Sequence, residues 1–120
     1  MKKVLIAEDD PGSQFLLAKV VEGMGYVAIK SSNGRLALEI LQDNPEIDLV
    51  ITDIMMPEMG GRDLIQELRQ DAELENLPIM LISAIVSQQE IEDLLELGAS
   101  LFIQKPINME FLRQGINELL

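Results

Sequence analysis

The sequence predicts an α/β domain in which five strands alternate with five helices and the strands form a parallel sheet covered on both faces. Three observations carry this. Short, mostly apolar runs recur at residues 4–7, 26–30, 49–52, 79–82 and 101–103. The one at 49–52 is continuous and rich in β-branched residues, which reads as a strand buried on both faces. Segments with apolar residues at helical spacing follow each run. Glycine, proline and small polar residues punctuate the boundaries. Parallel neighbours joined this way need right-handed crossovers.

The elements can be justified in order. Residues 4–7 end at the acidic triplet Glu8-Asp9-Asp10. Asp10-Pro11 is a helix start, an acid that can cap followed by a proline at the first helical position. Phe15, Leu16, Ala18, Lys19 and residues 20–24 continue with helical spacing, and Gly25 closes that helix. After the strand at 26–30, Asn33 caps a second helix with Leu36, Ala37, Ile40 and Leu41 as its apolar face. The strand at 49–52 runs straight into Asp53. Pro57 and Gly60-Gly61 break the chain before a third helix marked by Leu64, Ile65 and Leu68. Residues 71–76 read as a polar loop, and Pro78 opens the fourth strand. Ser87-Gln88-Gln89-Glu90 is a capping box ahead of Ile91, Leu94 and Leu95, and Gly98 ends that helix. Lys105-Pro106 follows the last strand. Asn108 then caps a final helix with Leu112, Ile116 and Leu119 on one face. No repeat, low-complexity segment or linker interrupts the pattern, so residues 1–120 read as one domain.

Composition narrows the function. A chain of 120 residues with 48% hydrophobic and 3% aromatic residues can build a sizeable aliphatic core. A net charge of −12 argues against direct nucleic-acid binding, which needs clustered lysine and arginine. There is no cysteine and no histidine, which removes disulfides, thiolate chemistry, imidazole bases and the usual zinc ligands. Any chemistry must use carboxylates, hydroxyls, lysine or a bound ion. The apolar run at the N-terminus is too short for a signal peptide and ends at once in acids. No stretch is long enough to span a membrane. A cytoplasmic protein is the expectation.

The predicted strand ends bring several polar groups to one rim, where ligands bind in open α/β sheets. Glu8 and Asp9 end the first strand, Asp53 the third and Ser83 the fourth, and Lys105 follows the fifth. Taken singly, each has a plainer reading as a cap, a turn former, a satisfied hydroxyl or a surface lysine. The seven methionines read as core filler. Four strand ends delivering complementary groups together is a stronger signal. Neighbouring carboxylates repel, and a divalent cation would relieve them. Oxygen-only ligands select Mg²⁺, Mn²⁺ or Ca²⁺. A metal, a carboxylate nucleophile, a lysine and a hydroxyl suit phosphoryl transfer.

These motifs resemble the receiver domain of two-component response regulators over the whole chain. The matching residues are Glu8-Asp9-Asp10, Asp53 with Met56-Pro57 and Gly61, Ser83-Ala84, and Gly98-Ala99 leading to Phe102 and Lys105-Pro106. The resemblance implies a flavodoxin-like (βα)5 fold with strand order 2-1-3-4-5; residues 1–120 hold no output domain, which fits either a stand-alone receiver or a receiver cut from a longer protein. It implies that Asp53 accepts a phosphoryl group from the phosphohistidine of a histidine kinase or a phosphotransfer protein. Mg²⁺, or Mn²⁺ in its place, would be ligated by Asp9, Asp53 and the Met55 backbone carbonyl, with Glu8 acting through water. Lys105 would pair with a phosphoryl oxygen. Ser83 and Phe102 would be the switch residues, the one moving towards the phosphoryl group and the other turning inward. An unknown downstream partner would read the face formed by helix four, strand five and helix five, around residues 90–97. The Lys105–Pro106 bond would be cis.

The departures are small. Glu8 stands where Asp is common, and Gly60 where Asp or Asn is frequent. A haloacid-dehalogenase-type phosphatase would want an acid two residues after Asp53, and Met55 stands there. A flavin- or nucleotide-binding domain would want a phosphate-cradling loop after strand one, where this chain has acids. A degenerate receiver would lack an acid or the lysine, and this chain lacks neither. Met55 and Ile85, each two residues past a rim residue, are apolar and cannot hold an attacking water, so the aspartyl phosphate is expected to be long-lived.

Overall fold

The computed structural model describes residues 1–84 and 87–120. Five strands, β1 (Lys3–Ala7), β2 (Val27–Ser31), β3 (Leu49–Asp53), β4 (Ile79–Ser83) and β5 (Leu101–Gln104), alternate with five helices. These are α1 (Pro11–Gly23), α2 (Gly34–Asp43), α3 (Gly61–Gln70), α4 (Gln88–Leu97) and α5 (Met109–Leu119). All four strand pairings are parallel, in the order β2-β1-β3-β4-β5. This is the flavodoxin-like arrangement expected from the sequence. Strand limits differ from the expected ones by a residue or so, because the last apolar side chain need not be the last paired backbone group.

Every residue of β3 and β4 is buried. Their side chains nonetheless alternate between two cores, since successive residues of a strand face opposite sides. Leu5, Ala7, Val50, Ile79 and Leu81 pack on one side with Leu41 of α2, Leu64, Ile65 and Leu68 of α3, and Leu94 of α4. Val4, Ile6, Leu49, Ile51, Met80 and Ile82 pack on the other with Leu17 and Val21 of α1 and Leu112 and Ile116 of α5. The absence of polar alternation in these strands has this cause: neither face meets water.

The caps act where the sequence places them. Asp10 accepts from Ser13 N at 2.8 Å, Asn33 from Leu36 N at 2.9 Å and Asn108 from Phe111 N at 3.1 Å. Ser87 accepts from Glu90 N at 3.4 Å. Helical spacing alone misjudges several apolar residues. Phe15, Leu16, Leu36 and Leu95 are exposed, and α1 buries Leu17, Ala18, Val20 and Val21 instead. The α1 sequence is apolar almost all round, so spacing does not single out its inner face. The predicted polar loop at 71–76 is a pair of hydrogen-bonded turns around a buried Leu74.

Arg69 ties that region together. Its Nε and Nη2 donate to Gly98 O at 3.0 and 2.7 Å, and Nη1 donates to Glu75 O at 2.9 Å. One guanidinium thereby joins the end of α3, the turn after it and the C-cap of α4. Gly98 sits at φ 140° with the Arg69 side chain against it, so both the backbone and the packing demand glycine there. Among the described residues no helix is long and apolar enough to cross a membrane.

The loop between β3 and α3 is fixed by backbone contacts that need glycine. Gly34 N donates to Met59 O at 3.0 Å, and Gly61 N donates to Ile54 O at 2.9 Å. A Cβ on Gly34 would collide with the Met59 carbonyl, which is backbone and cannot swing away. Gly34→Ala is therefore expected to lose about 1–3 kcal/mol in urea unfolding, the usual cost of an overpacked site. Gly23→Ala is the control: nothing lies within 4 Å of a Cβ there. It should leave stability unchanged or raise it by up to about 1 kcal/mol through helix propensity.

Candidate functional site

The site grows out of strand register. Ala7 lies beside Thr52 and Asp53 beside Ile82, while Ser83 lies beside Gln104. The residues at or just beyond these pairs are Glu8, Asp53, Ser83 and Lys105, so parallel pairing alone gathers them at the carboxyl rim. The strand core is apolar, and the chain turns polar only where each strand stops.

Three of the predicted residues are in direct contact. Lys105 Nζ donates to Asp53 Oδ2 at 2.6 Å and to Glu8 Oε1 at 3.0 Å. Both carboxylates are buried, Glu8 at 2% exposure and Asp53 at 8%. Asp53 Oδ1 accepts from Ile54 N at 2.7 Å and Met55 N at 3.3 Å, which orients the carboxylate from the loop side. The Lys105–Pro106 peptide bond is cis, as the resemblance implies.

The remaining predicted residues lie around this core. Ser83 is buried at 2% exposure at the end of β4. Asp9 is exposed at the rim, next in the chain to Glu8. Phe102 is half-buried and packs against the core cluster that includes Leu94. Asp10 is the helix cap that the sequence suggests. Its pKa is lowered, mainly by the backbone hydrogen bond from Ser13. Ile85 lies outside the described residues. Met55 corrects the reading of methionines as core filler: it is 75% exposed, because the loop turns its side chain away from both cores.

Sequence reasoning missed Gln14. Its Nε2 donates to Glu8 O and to Ser31 O, each at 3.0 Å, while Glu8 N donates to Ser31 O at 3.0 Å. Gln14 thus fastens the backbone of the first acid to the end of β2. The available signal was its place one turn into the helix after the acidic triplet, which reads as surface without coordinates.

The electrostatics follow from burial and pairing. Desolvation raises the Glu8 pKa above 4.5, and nearby Asp53 adds to this. The Lys105 hydrogen bond pulls the other way without cancelling it. For Lys105, burial opposes its charge, but hydrogen bonds to Asp53 and Glu8 and the attraction of both carboxylates prevail. Its pKa lies above 10.5, so the ammonium is charged at neutral pH.

Fold and site define the class first: a flavodoxin-like α/β domain with two carboxylates held on a lysine at one rim. Residues 4–117 match the response regulator receiver domain, and the chain belongs to that family. Among its relatives is the polar-differentiation response regulator DivK of Brucella anthropi, 31% identical over 90% of this chain and 87% of that protein. The two-component response regulator ORR3 of Oryza sativa subsp. indica is 33% identical over 87% of this chain and 79% of that protein. Chemotaxis response regulator CheY4 of Vibrio cholerae superposes with a TM-score of 0.93 at 26% identity, covering 100% of this chain and 99% of that one. The signal receiver domain of a histidine kinase from Syntrophus aciditrophicus superposes with a TM-score of 0.91 at 32% identity, covering 100% and 90%.

The raised Glu8 pKa has a stability consequence. The folded state favours the protonated acid, so ionising Glu8 costs stability as pH rises through its unfolded value of 4.5, and the full cost is present above the folded value. Glu8→Gln removes that cost and keeps an acceptor for Lys105. The variant is expected to be more stable than wild type at about pH 7, with the advantage fading towards about pH 4. Urea unfolding at both pH values checks it; a Gln variant that is less stable at neutral pH contradicts it.

Proposed function

We propose that this receiver domain is a phosphorylation-driven switch in which Asp53 accepts a phosphoryl group from the phosphohistidine of a histidine kinase or phosphotransfer protein. The observation that carries the proposal is the convergence of Asp53, Glu8 and Lys105 at distances of 2.6 and 3.0 Å from one ammonium. In the transfer, an Asp53 oxygen attacks phosphorus, the P–N bond breaks as the P–O bond forms, and the imidazole leaves. Lys105 already neutralises the acceptor and is placed to follow its charge onto the phosphoryl oxygens. The buried Ser83 hydroxyl at the neighbouring strand end would hydrogen-bond the phosphoryl group, and Phe102 would turn further inward.

The residues present suit a hard cation. Among the described residues no three His, Cys, Asp or Glu side chains form a cage of their own. Mg²⁺ does not need one, since it takes one or two carboxylates and keeps waters and phosphate oxygens. Asp9, Asp53 and the Met55 carbonyl would hold Mg²⁺, or Mn²⁺, with Glu8 acting through water. The ion would supply charge neutralisation at the transferring group. Phosphorylation would bias a two-state equilibrium at α4, β5 and α5, where a downstream protein partner would bind. That face carries the exposed Leu95 and Phe111, and a groove of about 490 Å³ lies along β5 and α5 between Phe102 and Phe111. The domain would act in the cytoplasm alongside its kinase, with no direct contact to nucleic acid.

Incubation with acetyl phosphate and Mg²⁺, followed by intact mass measurement, is expected to add one phosphoryl group. The addition should require Mg²⁺ and vanish in Asp53→Asn. A wild type that gains no mass under these conditions would show that the domain does not use this acceptor.

The phosphoryl group should also persist. The thioether of Met55 is a poor hydrogen-bond partner for water. Decay of the phosphorylated protein should therefore be slow, and Met55→Asn should speed it several-fold. A half-life of seconds in the wild type, or an unchanged rate in the variant, contradicts this.

A further inference from the structure

Methionine is the only sulfur chemistry this chain has. It carries seven methionines and no cysteine, so no thiol competes for an oxidant. Exposure then sorts the methionines. Met80 is fully buried, and Met24, Met56, Met59 and Met109 are half-buried. Met1 and Met55 are exposed, at 89% and 75%. Met1 is the chain terminus, whereas Met55 stands beside the acceptor: its own N–H donates to Asp53 Oδ1 at 3.3 Å. Its exposure is not that of a loose tip. The loop is held on both sides, by Gly34 N on Met59 O at 3.0 Å and by Gly61 N on Ile54 O at 2.9 Å.

We propose that Met55 is a modification site, oxidised by a hydroperoxide to the sulfoxide, and that this oxidation shortens the life of the phosphoryl group on Asp53. The proposal rests on Asp53 being the phosphoacceptor. In the oxidation a sulfur lone pair attacks one peroxide oxygen, the O–O bond breaks and an S–O bond forms. The sulfur loses two electrons, and the hydroperoxide is reduced to an alcohol, or hydrogen peroxide to water.

The product differs from the thioether in the property that matters at this position. A thioether sulfur is a weak acceptor. A sulfoxide is polar and its oxygen accepts strongly. The sulfur stands three bonds from a Cα whose own amide is hydrogen-bonded to the acceptor carboxylate. An acceptor oxygen rooted there can hold a water on the solvent side of Asp53. A held water is in place to attack the phosphorus of the acyl phosphate, returning Asp53 as the carboxylate and releasing inorganic phosphate. Peroxide would thereby return the switch to its unphosphorylated state without touching the kinase.

Two measurements decide it. Graded treatment with hydrogen peroxide, followed by digestion and peptide mass mapping, is expected to oxidise Met55 and Met1 first, Met56 and Met59 later, and Met80 last. Treated and untreated protein are then phosphorylated with acetyl phosphate and Mg²⁺, and the decay is followed. The treated wild type should lose the phosphoryl group several-fold faster. Met55→Leu should show no peroxide effect, and untreated Met55→Gln, with an acceptor at similar reach, should decay as fast as the oxidised wild type. Oxidation of Met56 or Met59 ahead of Met55, or equal decay before and after treatment, overturns the proposal. If untreated wild type takes up no phosphoryl group, the acceptor assignment fails instead, and the order of oxidation still decides the modification.

Discussion

Two carboxylates, Glu8 and Asp53, are buried side by side at the end of an apolar sheet, and one ammonium holds both. Burial and the neighbouring Asp53 charge both favour the protonated form of Glu8, and the Lys105 ammonium opposes them. Lys105 reaches Glu8 across 97 positions of sequence and Asp53 across 52. The contact therefore exists only when β1, β3 and the segment after β5 are all in place. Removing Lys105 would leave two buried carboxylates without a counter-charge, a heavier loss than replacing the whole group. The proposed phosphoryl transfer to Asp53 would add negative charge beside an ammonium that already holds two carboxylates.

The rest of the rim serves to hold this group steady. Asp53 Oδ1 is fixed by two amides of its own loop, and that loop is fixed by Gly34 and Gly61 through contacts too close for a Cβ. On the β1 side Gln14 ties the backbone of Glu8 to β2. Backbone anchors keep a geometry without using the side chains that chemistry needs. They leave the Met55 side chain exposed to solvent, next but one in the chain to Asp53. On the opposite side Arg69 performs a related task for α4, fastening its C-terminal end to α3 and the following turn. The helix proposed to carry the output is thus anchored at the end away from Ser83.

What the sequence determined by itself was periodicity and placement. The unbroken run at 49–52 reads as a strand shielded on both faces, and the acids and the lysine fall where the strands stop. Caps were equally legible, as Asp10, Asn33, Ser87 and Asn108 act on amides three residues away. Only the tertiary structure decided the long-range and orientational facts. Lys105 could have been a surface lysine, and it is a bridge. Phe15, Leu16 and Leu36 could have been core, and they face solvent. The methionines as a class read as filler, yet Met55 is exposed beside Asp53. The physical reason is the same in each case. Local propensity and hydrophobic period fix which elements form, whereas which side of an element is covered, and which distant charge meets which, depends on packing between segments that share no sequence neighbourhood.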